Sequence, residues 1–427
     1  MKRRYLAAAI TLAFVTQVAV AADASVEQKL EILQRELDEL RAELAKMKSQ
    51  QLAPASGQPS TAASVPTSAS SGTMNGLAAG SNTFGGYGEL HYNNYRDGDK
   101  KDEIDFHRFV LFYGHKFNDN LRFYSELEVE HALVEGGGGA VELEQAFLDY
   151  RINDAFNIRA GAFLIPMGIL NETHEPPTFF GVERNEVESR IIPSTWREAG
   201  VGVNGEIVNG LRYDVGITSS LDAGKWGEPD KGIREMRTEL REAAAHDFAF
   251  FGALNYRGIP GLAVGASIFT GNTGQNGVTD SALKNVNGHL LLWDVHAQYR
   301  LGGLEMRALY ARGTLGDADK ISAAAIARSG DATQVAPSSF WGYYAEAGYH
   351  FRLGDEMELA PFVRYERYNT QASVPSGFSA NPKNNERVTT LGVNFKLHPK
   401  VVFKADYQDF KEDPKKDRFN LGVGYMF

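Results

Sequence analysis

Residues 417–427 of the chain read DRFNLGVGYMF, and the two faces of this stretch differ in character. Alternation with a period of two over about ten residues, ending on an aromatic residue, is typical of a strand with lipid on one side and water on the other. The stretch therefore predicts a transmembrane β-strand. Its apolar face is formed by Phe419, Leu421, Val423, Tyr425 and Phe427, and its opposite face by Arg418, Asn420, Gly422, Gly424 and Met426.

The composition of the whole chain agrees with a barrel wall. Its 427 residues include 44 Gly, 25 Phe, 18 Tyr and 4 Trp, yet the mean hydropathy is -0.32. A barrel reconciles these values because half of each strand faces lipid and half faces water. The chain has no Cys, which excludes a disulfide framework and a thiolate metal site. Its net charge of -10 disfavours nucleic acid as a partner.

Three segments precede the predicted barrel. Residues 1–21 combine a basic start, an apolar stretch and an Ala-Val-Ala cleavage site, which predicts a signal peptide. Residues 22–50 carry a heptad repeat of apolar residues and predict a coiled-coil helix in the periplasm; a single amphipathic helix packed on the barrel is the alternative. Residues 51–79 lack charged residues and are rich in Ser, Ala, Thr, Pro and Gly, as in a flexible linker.

The remaining residues, 80–427, predict an all-β transmembrane barrel of about sixteen antiparallel strands. Short turns rich in Gly, Pro, Asn and Asp alternate with longer connections. An even number of strands closes an antiparallel barrel, and about 16 to 18 strands leave an aqueous channel. The turns fall at 118–120, 152–154, 208–210, 258–261, 302–303, 354–355 and 398–400, and the longer connections at 93–103, 135–139, 165–195, 222–246, 271–288, 313–338, 369–385 and 411–416.

Alternation within the strands assigns charged residues to the water-facing side. In residues 121–130 the large aliphatic side chains share one face and the charged ones share the other. A cationic side chain at the bilayer midplane costs about 2–4 kcal/mol, so the charged face is predicted to line the lumen. Residues 141–150 fit less well, because Gln145 falls among the lipid-facing residues. The predicted pore-wall residues are Arg122, Glu126, Glu128, Glu130, Glu142, Glu144 and Arg159.

The connection 165–195 lies between the fifth and sixth predicted strands and is dense in charge and proline. In trimeric diffusion porins the loop at this position folds inward and narrows the channel. By this architectural analogy we predict a constriction here, with an ordinary solvated outer loop as the alternative. The predicted constriction residues are Glu172, His174, Glu175, Glu183, Arg184, Glu186, Glu188, Arg190 and Arg197.

Short motifs along the barrel point to a known family. They are Gly85-Gly86-Tyr87-Gly88 in the first strand, Phe147-Leu148-Asp149-Tyr150, Gly161-Ala162-Phe163 before the long connection, and terminal Phe427, together with the coiled coil and the linker. With these features the chain resembles the phosphate-selective porin O and P family. The resemblance implies a trimeric channel of the Gram-negative outer membrane, surrounded by lipid and lipopolysaccharide. It also implies that the barrel-assembly machinery recognises Phe427.

The charge of the predicted wall departs from that family. Its phosphate-selective members line the pore with lysines and an arginine ladder, whereas the wall predicted here carries several glutamates beside its arginines. A ring of carboxylates attracts cations, and clustered Arg or Lys attracts anions. We predict passive diffusion of small hydrophilic or charged solutes, with phosphate and other anions among the candidates. Arg184, Arg190 and Arg197 are predicted to form a local site for anions or carboxylates.

Enzymatic chemistry has little support in the sequence. His174-Glu175 lacks the second histidine of the zinc-protease motif, and no G-x-S-x-G elbow precedes a helix. We therefore expect no catalytic residue, no cofactor and no metal. Two alternatives to a channel stay open. One is an envelope-anchoring barrel whose coiled coil binds the cell wall or a partner, and the more remote one is a barrel enzyme such as a lipase.

Overall fold

The computed structural model describes residues 79–97, 100–132 and 139–427. Within them sixteen antiparallel strands form one closed sheet, in which each strand pairs with the next and the first pairs with the last. The prediction of a barrel of this size is confirmed. The predicted signal peptide and coiled coil, and nearly all of the linker, lie outside the described residues.

One of the sixteen strands is interrupted. Ser339–Tyr349 and Phe351–Arg352 count as a single strand, broken at His350, because both parts pair with Glu358–Ser373. The strands are β1 (Asn82–Tyr95), β2 (Glu103–Lys116), β3 (Leu121–Glu130), β4 (Ala140–Asn153), β5 (Phe156–Leu164), β6 (Arg197–Val208), β7 (Leu211–Ser219), β8 (Phe248–Ile259), β9 (Leu262–Gly271), β10 (Leu290–Leu301), β11 (Leu304–Leu315), β12 (Ser339–Tyr349 with Phe351–Arg352), β13 (Glu358–Ser373), β14 (Asn385–His398), β15 (Val401–Phe410) and β16 (Arg418–Met426).

Short helices occur only in the connections of the part of the chain that is described. No helix there has the length and apolar character needed to span a membrane. The α-helices are α1 (Val187–Arg190) and α2 (Ala318–Ser329), and the 3-10 helices are Pro176–Thr178, Ala223–Lys225, Gly232–Met236, Gln275–Gly277, Ser281–Leu283, Pro382–Asn384 and Pro414–Lys416.

The short turns form where the sequence predicts them, each for a local reason. Between β2 and β3 the side-chain Oδ1 of Asn118 accepts hydrogen bonds of 2.9 Å from the backbone N–H groups of Asn120 and Leu121. Between β6 and β7, Gly210 adopts a φ of 84°, a conformation that glycine reaches without strain. Because consecutive strands are antiparallel and short turns alternate with long connections, all short turns lie at one end of the barrel and the long connections at the other.

A β-bulge corrects the predicted register of β4. Glu126 pairs with Gln145 but Leu127 pairs with Leu143, so Glu144 is an extra residue in β4. A bulge of this kind reverses the phase of the alternation. Gln145 consequently points inward and is buried, and the prediction that it faces lipid was wrong. Leu143 and Leu148, on either side of the bulge, both remain exposed on the outer surface.

The C-terminal strand closes the barrel against β1. The backbone N–H of Phe427 donates to the carbonyl of Gly86 at 2.9 Å. A Cβ on Gly86 would lie 2.3 Å from the carbonyl oxygen of Val110 and 2.8 Å from the Phe427 ring. The glycine of the first-strand motif is thus required by close approach at the seam. Phe419, Leu421 and Phe427 are exposed on the outside, as the alternation of 417–427 predicts.

Candidate functional site

Residues 165–196, here called the inserted segment, connect β5 to β6 and lie against the inward-facing residues of distant strands. Three wall carboxylates accept hydrogen bonds from its backbone N–H groups. Asp294 on β10 accepts from Gly168 at 3.1 Å, Glu366 on β13 from Glu186 at 2.7 Å, and Asp406 on β15 from Val182 at 2.6 Å. These strands lie across the barrel from β5 and β6, so the segment crosses the lumen.

Three wall cations hold the carbonyl groups of the same segment. Arg307 on β11 donates to the carbonyl of Thr178 at 2.6 Å. Lys404 on β15 donates to the carbonyl of Gly181 at 2.7 Å and to that of Phe179 at 3.1 Å. Arg364 on β13 donates to the carbonyl of Phe180 at 3.5 Å. Hydrogen bonds to charged groups are stronger than neutral ones, so these contacts with the wall fix the position of the segment in the barrel.

Inward-facing glycines make room for the apolar side chains of the inserted segment. A Cβ on Gly348 of β12 would lie 2.5 Å from the ring of Phe180, and one on Gly424 of β16 would lie 2.3 Å from Pro176. Real side chains do not approach this closely, so any larger residue there would displace the segment. The glycines on the polar face of 417–427 thus serve packing against protein, not only exposure to water.

Glu188 organises the centre of the inserted segment. Its Oε2 accepts hydrogen bonds from the backbone N–H groups of Ile169 at 2.6 Å and Leu170 at 2.7 Å, and its Oε1 accepts one from the Tyr344 hydroxyl at 2.7 Å. Burial raises the pKa of Glu188 above its ordinary value despite these hydrogen bonds. The carboxyl group is enclosed by its donors, so we interpret Glu188 as structural rather than solute-facing.

Glu183, Glu186 and Arg190 are held in ion pairs on one side of the segment. Glu183 Oε1 lies 3.3 Å from Nδ1 of His91 on β1. Burial alone would raise the pKa of Glu183, but the positive charges of Arg418 and His91 outweigh it and hold the pKa well below its ordinary value. Glu186 pairs with Arg190 and lies 3.5 Å from Arg418.

The arginines predicted as an anion site differ in their partners. Arg197 is paired with Glu142 at 2.5 Å, and Arg190 is paired with Glu186. Arg184 donates to the Thr195 hydroxyl at 2.7 Å, whereas its Nε and Nη2 have no hydrogen-bond partner among the described residues. Nε of Arg197 is also buried without a hydrogen-bond partner in that part of the chain. The three arginines are engaged with different partners, so the structure does not join them into one site.

Among the remaining predicted constriction residues, His174 and Glu175 lie toward β3 and β4, whereas Glu172 lies near charged residues of β5 and β7. His174 and Glu175 are buried, and His174 Nε2 lies 3.9 Å from Oε2 of Glu144. Burial would lower the pKa of His174, but the nearby carboxylate of Glu144 raises it. Glu172 is half-buried, and burial together with the charge of Asp214 raises its pKa.

Several predicted pore-wall residues point inward but are covered. Glu126, Glu128 and Glu144 are buried, and Glu128 lies 3.1 Å from Arg108. On β4 and β5, Arg159 is paired with Asp149 at 2.9 Å, and Arg122 lies 3.6 Å from the same carboxylate. Most of these charges therefore face a partner rather than open space.

An open cavity of about 520 Å³ lies between the inserted segment, the wall formed by β1 to β3, and the connection 220–247. Most of this lining is not predicted from the sequence, because the position of 220–247 follows from tertiary packing and has no sequence motif. The lining holds seven basic residues, Arg108, Arg184, Arg190, Lys231, Arg234, Arg237 and Arg418, and six acidic ones, Glu89, Glu130, Glu183, Glu186, Glu235 and Glu239.

Comparison with known proteins places the barrel among porins. The phosphate-selective porin O and P family matches residues 78–225, and the outer membrane protein beta-barrel domain matches residues 246–427. An uncharacterized protein of Aquifex aeolicus (strain VF5) is 37% identical over 363 residues, which cover 81% of this chain and 80% of that protein.

Two solved structures share the fold at low sequence identity. Salmonella typhi OmpF in complex with daunomycin aligns with a TM-score of 0.57 and 13% identity, covering 82% of this chain and 98% of that one. The trimer form of in-vitro folded OmpT of Vibrio cholerae aligns with a TM-score of 0.50 and 12% identity, covering 82% of this chain and 100% of that one. The chain belongs to the same family as the A. aeolicus protein and is an outer-membrane porin resembling the phosphate-selective porin O and P family.

Proposed function

We propose that this outer-membrane channel passes small charged solutes by passive diffusion, that the inserted segment is its constriction, and that anions pass more readily than cations. Solutes would cross the cavity beside the inserted segment, where both signs of charge line the path. No covalent step is involved, so discrimination depends on the width of the passage and on the charges within it.

The proposed preference for anions rests on two arginines in the cavity that have no carboxylate partner within the described residues. Arg184 and Arg234 both line it, and neither has a carboxylate oxygen within 4.0 Å among residues 79–97, 100–132 and 139–427. The Nε and Nη2 of Arg184 are also buried without a hydrogen-bond partner in that part of the chain. A guanidinium with unused donors favours a carboxylate or phosphate group, which accepts two hydrogen bonds at once.

The covered glutamates support the same preference. Glu126, Glu128 and Glu144 would favour cations if they lined the passage, but they are buried and do not belong to the lining of the cavity. Carboxylates outside the cavity lining act on a passing solute from a greater distance than the lining residues do, so they contribute less to the potential in the passage. The charged residues that line the cavity therefore determine whether anions or cations pass more readily.

Reversal potentials in planar bilayers under a tenfold KCl gradient test this proposal. We expect an anion-selective sign for the full chain. Removing one unit charge in Arg184→Gln or Arg234→Gln should lower the anion-to-cation permeability ratio by about twofold. Lys320→Gln removes the same charge from exposed helix α2 and should leave the ratio unchanged. A cation-selective reversal potential would overturn the proposed preference.

The same recordings separate the channel from the envelope-anchoring alternative. Stepwise conductance that survives deletion of residues 22–79 supports diffusion as the main role. A closed barrel that binds cell wall through this N-terminal region would favour the anchor. Residue 79 enters the barrel at the end that carries the short turns, which in outer-membrane barrels is the periplasmic end.

We also propose a homotrimer that reaches the membrane through recognition of Phe427 by the barrel-assembly machinery. The solved OmpT structure of Vibrio cholerae is described as a trimer form, and the exposed ring of Phe427 lies at the seam of this barrel. Light scattering of the detergent-solubilised protein measures the oligomer. Omitting Phe427 should lower the amount of protein inserted in the outer membrane.

A further inference from the structure

A buried group of three metal-ligating side chains joins the inserted segment to the barrel wall. Glu126 of β3, Glu144 of β4 and His174 of the segment each bring one potential ligand atom within 4.8 Å of the others. Their residues are 6%, 0% and 3% exposed, respectively. The β-bulge is what directs Glu144 inward, beside Gln145, toward this group.

Several polar atoms at this place lack partners. Both carboxylate oxygens of Glu144, Oε2 of Glu126 and Nε2 of His174 are buried without a hydrogen bond to any described residue. Such atoms are rarely left unsatisfied in folded proteins, because burying an uncompensated carboxylate is costly. One ligand atom from each of these three residues converges on one buried place, which is the arrangement that a bound cation requires.

The hydrogen bond made by Nδ1 of His174 leaves Nε2 as the ring nitrogen that can bind a metal ion. Nδ1 of His174 lies 3.0 Å from the carbonyl oxygen of Asn171, which only accepts, so Nδ1 carries a proton. Metal binding requires a deprotonated Nε2, and in that form its lone pair is directed at Glu144. A metal-binding histidine characteristically donates its second N–H group to a backbone carbonyl in this way.

The distance between the two facing atoms suits a shared ion better than a direct hydrogen bond. Nε2 of His174 and Oε2 of Glu144 are 3.9 Å apart. A hydrogen bond at this distance would be too long. Two ligands that each lie about 2.1 Å from one ion are about 3.4–4.2 Å apart for angles from tetrahedral to linear.

Arg108 and the Tyr124 hydroxyl, which lie near this group, are engaged with oxygens other than the unpartnered ones. Arg108 lies 2.9 Å from Glu89 and 3.1 Å from Glu128, and Tyr124 donates its hydroxyl to Oε1 of Glu126 at 2.5 Å. Among the described residues, neither Arg108 nor Arg184 lies within ion-pair distance of Glu144, whose nearest cationic partner is His174 at 3.9 Å.

We propose that Glu126, Glu144 and His174 bind one divalent transition-metal ion, of the class of Zn²⁺ or Mn²⁺, which fastens the inserted segment to β3 and β4. One imidazole and two carboxylates form a ligand set that suits these ions better than Ca²⁺ or Mg²⁺, which prefer oxygen ligands alone. The site is independent of the ion preference of the channel.

A second cluster provides a matched comparison. Asp105, His107 and His131 also approach one another within 4.8 Å. There, however, Asp105 lies 3.1 Å from Nδ1 of His107 and 2.9 Å from Nδ1 of His131, so its carboxylate is already hydrogen-bonded to both rings. Substitutions in this cluster therefore serve as the control.

Metal content of the folded protein tests the proposal. The full chain is unfolded in urea with EDTA and refolded in detergent with or without one equivalent of Zn²⁺ or Mn²⁺, and folding is checked by circular dichroism. After gel filtration we expect about one metal per chain by elemental analysis in at least one case. Glu144→Gln and His174→Gln should weaken binding by more than about tenfold, whereas Asp105→Asn should not.

A spectroscopic measurement keeps the proposal testable when a variant folds poorly. Refolding the unsubstituted chain with Co²⁺ should give visible d–d absorption bands, which His131→Asn retains and His174→Gln loses. Absence of stoichiometric metal from the folded unsubstituted chain would overturn the proposal, and protons shared among the carboxyl groups would then occupy the site. Binding that Asp105→Asn abolishes and Glu144→Gln leaves intact would overturn it equally.

Discussion

Two groups of charged residues share the inner face of the barrel but have different roles. One group lies beneath the inserted segment, and the other lines the cavity beside it. Beneath the segment, Asp294, Glu366 and Asp406 are engaged with its backbone. In the cavity, Arg184 and Arg234 have no carboxylate partner within the described residues. An inward-facing charge in a barrel can therefore hold a loop or meet a solute, and its contacts decide which.

This difference predicts opposite consequences for substitution. A charge that holds the inserted segment is buried with its partners, so its loss leaves those partners unpaired and lowers stability. A cavity charge without a partner, such as Arg234 or Glu130, stays in contact with water, so its loss changes the potential along the passage and little else. Stability should thus respond mainly to the paired charges, including Glu183 in the cavity wall, and ion selectivity to the unpaired ones.

The largest effect is expected on stability at Glu366. Glu366→Ala leaves the N–H groups of Glu186 and Val187 without their acceptor and removes the 2.7 Å partner of Arg364. Removing one member of a buried charge pair costs about 3–5 kcal/mol. We expect urea unfolding in detergent, followed by tryptophan fluorescence, to show a loss of this size.

Glu356→Ala, in the exposed turn before β13, is the matched control for Glu366 and should change the unfolding free energy little. An unchanged midpoint for Glu366→Ala would mean that its contacts with the inserted segment do not stabilise the barrel.

A smaller loss is expected from filling a glycine position under the segment. In Gly348→Ala the new methyl group would lie 2.5 Å from the Phe180 ring, so the inserted segment has to move. Overpacking of this kind costs about 1–3 kcal/mol. The displaced segment should also change the single-channel conductance. Gly252→Ala, whose methyl would have ordinary contacts from 3.4 Å, is the control. Equal conductance and stability in both variants would contradict the close packing.

The sequence predicts the strands and turns of this barrel well, because alternation and turn residues are local signals. It fails at Gln145, since a single extra residue in β4 shifts the phase and nothing in 141–150 announces it. It also cannot tell that Glu144 is covered while Glu130 lines the cavity. Both glutamates satisfy the same alternation, and only the path of the inserted segment separates them.

Acid should loosen the contact between the inserted segment and β1. Since the folded-state pKa of Glu183 is depressed, its ionised form adds stability above the unfolded pKa of about 4.3, and this contribution disappears as pH falls through the lower folded value. Glu183→Gln should therefore unfold at lower urea concentration than the unsubstituted chain at pH 7. The difference should shrink as the pH falls from 5 to 3. A difference that is constant over this range would show that the carboxylate charge is not involved.

The smallest effect, and the most direct test of the two charge sets, is on ion selectivity. Glu130 lines the cavity, whereas Glu198 on β6 is buried and accepts hydrogen bonds from Trp196 and Ser219. Glu130→Gln should raise the anion-to-cation permeability ratio by about 1.5- to 2-fold, because one negative charge leaves the passage. Glu198→Gln should leave that ratio unchanged and lower stability instead. Equal shifts in the reversal potential for both variants would mean that buried charges influence permeation as strongly as exposed ones.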